Sequence, residues 1–108
     1  MSVARLTGER ILSVMDRGAL FVGMWEHVPI LEYLQLVEGR RPDVRLVNGV
    51  FVGPTGSTQL ARDAHARGLA VYTTATNLFP EGFAFTHLPE GLCYRVEPRT
   101  ADTQPRAP

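Results

Sequence analysis

The chain is expected to form a small three-layer α/β domain, Rossmann-like, with a three-stranded parallel sheet flanked by helices and extended by a C-terminal β-hairpin. Three observations carry this expectation. Ala19-Leu20-Phe21-Val22-Gly23-Met24 is a continuous apolar run, the mark of a strand covered on both faces, as in parallel sheets. Helical and strand patterns alternate from residue 5 to residue 74. Two further strand-like runs, at residues 83–88 and 92–96, flank the turn signal Pro89-Glu90-Gly91. Right-handed crossovers then put the first strand at the centre of the parallel set.

Residues 5–17 read as an amphipathic helix capped by Thr7. Ile11, Leu12, Val14 and Met15 share a face, and Gly18 stands where a left-handed C-terminal residue belongs. Pro29 suits the first turn of a second helix, with Ile30, Leu31, Tyr33, Leu34 and Val37 as its buried stripe and Gly39 as its stop. Val44-Arg45-Leu46-Val47 is the second strand. Asn48-Gly49 reads as a tight turn, Val50–Val52 as an extension or hairpin return, and Gly53-Pro54-Thr55-Gly56 as a loop. Ser57 or Thr58 caps a third helix running through His65. Its narrow apolar face (Leu60, Ala61, Ala64) permits close packing, and Gly68 ends it. Leu69 to Thr74 is the third strand. Residues 1–98 form one domain on this reading, and residues 99–108, Pro-rich and without an apolar cluster, are expected to be a disordered tail.

The composition excludes several function classes. Eleven basic residues balance 11 acidic ones, which argues against a nucleic-acid partner, since binding phosphates needs a basic excess. Every basic residue is Arg, so there is no Schiff-base lysine and none of the lysine that a response-regulator receiver needs. Cys93 is the single cysteine, which rules out an intramolecular disulfide and reads as a small buried hydrophobe. No run approaches the roughly 20 apolar residues of a membrane span, and Met1 to Arg10 lacks the apolar core of a signal peptide. A soluble chain is expected, cytoplasmic if free-standing.

The chemistry concentrates at the first strand-to-helix corner, where ligands bind in open α/β sheets. Trp25 offers a stacking surface for a sugar ring, Glu26 a hydroxyl acceptor, and His27 a group that titrates near neutrality. The alternative gives them structural work, with Glu26 or His27 capping the helix and Trp25 plugging the sheet edge. Asn48, Thr73, Thr74 and Asn77 follow strands two and three at the same sheet end, as a binding crevice requires, although each also suits a turn. Arg40-Arg41-Pro42-Asp43 follows a helix C-terminus. It reads as a cap with an Arg41–Asp43 ion pair, or else as an anion clamp. His27, His65 and His87 lack metal-ligand spacing, so no metal or cofactor is expected. Gly53 to Thr58 lacks the lysine of a phosphate loop, leaving only a single anion on the helix N-terminus as an alternative.

The passage Trp25-Glu26-x-x-Pro29-Ile30-Leu31-x-Tyr33-Leu34-Gln35-x-Val37-Glu38-Gly39-x-Arg41-Pro42-Asp43-Val44 resembles the soluble C-terminal segment of multi-pass bacterial membrane proteins related to protein O-mannosyltransferases. Arg67-Gly68-Leu69-Ala70-Val71-Tyr72 and Pro89-Glu90-Gly91-Leu92-Cys93-Tyr94-Arg95 extend the similarity, so that it covers about residues 10–97. In that family catalysis is attributed to acidic residues in loops of the membrane part, so no catalytic residue is carried over. The resemblance implies a non-catalytic accessory domain associated with glycosyl transfer. Its partners would be a sugar or glycan acceptor and a membrane glycosyltransferase, and its place extracytoplasmic if it belongs to such a protein. The expected ligand-binding residues are Trp25, Glu26, His27, Asn48, Thr74 and Asn77. Two rivals remain: a protein–protein or homo-oligomerisation module, and a small enzyme using Glu26 and His27 as acid and base.

Overall fold

The computed structural model describes residues 3–24, 26–90 and 92–99. Along the chain these form α1 (Val3–Ser13), β1 (Leu20–Gly23), α2 (Val28–Leu36), β2 (Arg45–Asn48), α3 (Gly49–Ala66), β3 (Val71–Thr73), a 3₁₀ turn (Thr76–Leu78), β4 (Phe83–Leu88) and β5 (Cys93–Pro98). The result is an α/β domain on a five-stranded mixed sheet of spatial order β2-β1-β3-β5-β4, flanked by helices. β1 pairs in parallel with β2, from Leu20 opposite Arg45 to Gly23 opposite Asn48, and with β3, from Leu20 opposite Val71 to Val22 opposite Thr73. β5 runs antiparallel to β3, and β4 antiparallel to β5 with Phe83 opposite Pro98 and Leu88 opposite Cys93. Among the described residues no helix is long and apolar enough to cross a membrane. The expected tail at 99–108 lies outside the described residues, Arg99 excepted.

The apolar run of β1 is continuous because successive side chains enter different cores. Phe21, with Tyr72 and Cys93, faces Ile11 and Leu12 of α1 and Leu31 and Leu34 of α2. Leu20 and Val22, with Val71 and Val96, face Ala61 and Ala64 of α3 and the aromatic pair Phe79 and Phe83. Phe21, Val22, Leu31 and Leu34 are each 0% exposed. Burial of each is worth about 1.5–3 kcal/mol, so β1 anchors both layers.

Local outcomes differ from expectation at several places. α1 begins by Val3, with Thr7 inside it as no cap, and ends at Ser13, whose hydroxyl donates back to the Arg10 carbonyl at 2.7 Å. α2 buries Val28, Leu31 and Leu34 at three-residue spacing. That turns Tyr33 (47% exposed) and Val37 (66% exposed) outward, against the expected stripe. Gly39 does end the turn, with φ +67° and the Arg40 N–H closing onto the Leu34 carbonyl at 3.0 Å.

The largest departure is at Asn48-Gly49. There is no tight turn and no strand return, because α3 starts at once, with Asn48 as its N-cap. A Cβ at position 49 would collide with the Leu78 side chain, so the close docking of this turn needs glycine. The expected loop at 53–56 is helical on either side of one break, Gly53, at φ 67° and ψ −179°. Pro54 opens the resumed helix, as proline does in a first turn, so Ser57 is interior and fully buried and caps nothing.

Arg41 and Asp43 form the expected ion pair, but the helix they cap is α1, not α2. The Arg41 guanidinium donates to the Leu12 carbonyl at 2.7 Å, the Asp16 carbonyl at 3.2 Å and both oxygens of Asp43 at 3.1 and 3.0 Å. Asp43 also accepts the Gly18 N–H at 2.9 Å. Arg41 reaches this position from a left-handed backbone, φ 48°. These hydrogen bonds, from Arg41 first and then Gly18, hold the Asp43 carboxyl well below the usual carboxylate range.

Two tests follow from this geometry. No heavy atom lies within 4 Å of a Cβ built at Gly53, so Gly53→Ala would suffer from backbone strain alone. A loss of about 1–3 kcal/mol is expected by urea unfolding. Asp43, depressed in the folded state, contributes stability that is full above the ordinary carboxylate value near 4 and is lost as the pH falls below it. Asp43→Asn should therefore lower the Tm at pH 7 and flatten the acid limb of the Tm–pH profile. An unchanged acid limb would mean that another carboxylate dominates it.

Candidate functional site

Parallel pairing brings the ends of three strands to one edge. Gly23 closes β1 opposite Asn48 of β2, and Val22 lies opposite Thr73 of β3. α2 and α3 both start from this edge, and the Thr76–Leu78 turn packs against α3 above it. Gly23 is confined because a Cβ there would meet the Phe21 ring and Val28. The chain must therefore leave the strand tightly before the polar corner.

The predicted residues take distinct places along this edge. Glu26 is exposed. His27 occupies the N-cap position of α2 without a side-chain cap, and its Nδ1 is buried with no hydrogen-bond partner among the described residues. Asn48 is absorbed by structure, its Oδ1 accepting the Val50 N–H at 2.9 Å. Thr73 is likewise structural and fully buried, donating to the Val22 carbonyl at 2.6 Å and accepting the Ala75 N–H at 3.0 Å. Thr74, next along, has a buried Oγ1 with no partner. Asn77 is exposed in the 3₁₀ turn. Trp25 lies outside the described residues.

Two polar atoms, His27 Nδ1 after β1 and Thr74 Oγ1 after β3, thus stand buried and unsatisfied at the ends of adjacent strands. A group in that state costs about 1–3 kcal/mol until a water or a ligand pairs with it. The imidazole nitrogen is able to accept or donate, and the hydroxyl does both, so each suits a hydroxyl partner. A third unpaired atom, Ser57 Oγ, sits on the inward stripe of α3 with Ala61 and Ala64. The sequence offers Ser57 or Thr58 as a cap, whereas the break at Gly53 puts both inside α3, with Ser57 buried. Among the described residues no group of three or more His, Cys, Asp or Glu side chains is placed to hold a metal ion.

Comparison with protein-family models, with curated proteins and with solved structures gives no match. The reading of the edge rests on its own chemistry.

The structural share of the edge is open to measurement. Thr73→Val keeps the shape but strands the Ala75 N–H, and a loss of about 1–3 kcal/mol is expected in urea unfolding. Thr73→Ser retains the hydroxyl and should lose less.

Proposed function

We propose that this domain binds a sugar or a related hydroxyl-rich acceptor in a crevice at the carboxyl ends of β1 and β3, and does so without catalysing its transfer. The observation that carries the proposal is the pair of buried, unpartnered polar atoms, His27 Nδ1 and Thr74 Oγ1, at one sheet edge. The reading treats the domain as Rossmann-like, a class that binds ligands beyond the carboxyl ends of its parallel strands. Its association with glycosyl transfer rests on the resemblance of residues 25–44. Glu26, exposed beside His27, is the natural acceptor for a further hydroxyl, and Trp25 the natural stacking ring.

An amide NMR titration with sugars, sugar phosphates and nucleotides tests the proposal, with the Trp25 indole N–H as a single reporter. Saturable shifts at Trp25, Glu26, His27 and Thr74 are expected. Their absence at about 20 mM sugar, a concentration that saturates even a millimolar site, would sink it. Thr74→Val separates binding from folding. Removing an unpaired hydroxyl should leave stability unchanged or raise it by about 1 kcal/mol, while weakening sugar binding about fivefold or more.

A further inference from the structure

Ten arginines lie among the described residues. Seven are engaged, with carboxylates, backbone carbonyls or, for Arg62, the face of Phe83. The other three, Arg17, Arg45 and Arg67, have no ion pair, side-chain hydrogen bond or ring contact there, and they gather at one place. Arg45 is the first residue of β2, Arg17 precedes the Gly18 turn into β1, and Arg67 follows the last residue of α3. Parallel strands start at a common rim, and α3 runs back to that rim. The topology alone therefore collects these cations at the sheet end opposite the sugar edge.

A cavity of about 110 Å³ opens between Arg45 and Arg67. Leu20, Leu60 and Leu69 line its apolar part, and Arg45, Arg67 and Asp63 stand on its rim. Asp63 accepts a hydrogen bond from Gln59 at 3.1 Å and is in ion-pair contact with neither arginine. Arg17 lines an adjoining recess that shares Leu69. The α3 carboxyl terminus favours one cation nearby but does not account for three. Guanidinium groups are planar forks that match an oxyanion, and an apolar cavity near 150 Å³ is known to hold a benzene ring.

We infer that this amino-terminal rim is a second binding site, taking a small organic anion whose aryl or branched apolar body enters the Leu20–Leu60–Leu69 cavity and whose oxyanion is held by Arg45 and Arg67. A carboxylate and a phosphate monoester share that chemistry.

The test is an NMR titration reading backbone amides and arginine Nε–H signals, with benzoate and phenyl phosphate as separate probes. Acetate, inorganic phosphate and benzyl alcohol serve as half-ligands. Saturable shifts are expected at Gly18, Arg45, Arg67 and Leu69, with a dissociation constant of about a millimolar for whichever probe carries the preferred oxyanion. Each half-ligand should bind at least about tenfold more weakly, and Arg45→Gln or Arg67→Gln should cost about tenfold. Leu60→Phe, filling the cavity, should block the aryl probes. Should that variant fail to fold, the two surface arginine variants still decide. No saturable shift at about 20 mM would overturn the proposal. So would equal responses to every anion that survive the arginine substitutions, since these mark diffuse screening. Shifts at His27 and Thr74 without shifts at Arg45 and Arg67 would assign the anion to the opposite edge and overturn it as well.

Discussion

The bidentate pairing of Arg41 with Asp43 is the constraint on which the architecture depends. One guanidinium takes the Leu12 carbonyl in the last turn of α1 and the Asp16 carbonyl just beyond it, and the carboxylate it holds takes the N–H of Gly18, two residues before β1. The end of the helix before β1 and the turn into β1 meet at that pair with the distant connection from α2 to β2. Gln35 tightens the same connection by donating to the Arg41 and Val44 carbonyls at 2.9 and 2.6 Å. The start of the central strand is thereby set against the start of its neighbour, Leu20 opposite Arg45. In a parallel pair a slip of one residue would exchange the two cores, since side chains alternate faces.

Much of this was readable in advance where one physical signal dominated. The uninterrupted apolar run of β1 required cover on both faces, and the Phe83–Leu88 and Cys93–Pro98 strands meet across the turn marked by Pro89 and Glu90. Where two mechanisms share one signature, reading failed. Asn-Gly is equally a hairpin turn and a capped helix start, and docking of Gly49 against Leu78 decided for the helix. Gly-Pro is equally a loop and a break inside a helix. Arg41 and Asp43 were legible as a cap, but sequence distance could not show that the helix carbonyl is that of Leu12 in α1, 29 residues away from Arg41. At the edge, Asn48 and Thr73 looked like ligand groups and proved to satisfy the backbone, because a short polar side chain serves either end equally well. Glu26 and His27 follow β1, and Thr74 and Asn77 follow β3, while Arg45 and Arg67 carried no local signal at all.

A net charge of zero says nothing of where the individual charges stand. Arg17, Arg45 and Arg67, with Asp63 among them, stand where the parallel strands begin, and the exposed Glu26 follows the end of β1. Composition averages over the molecule, whereas topology decides which residues share an edge. The two proposed sites accordingly stand at opposite rims of one small sheet.

Cys93 lies fully buried in β5 against the α1–α2 layer, and burial pushes its thiol up to about 11. Only the thiolate reacts readily with alkylating reagents, so the native thiol is shielded twice, by geometry and by protonation. Because the chain has no other cysteine, its modification rate is a built-in clock for the opening of the sheet. Every labelled molecule records one excursion in which β5 parted from the layer that covers it.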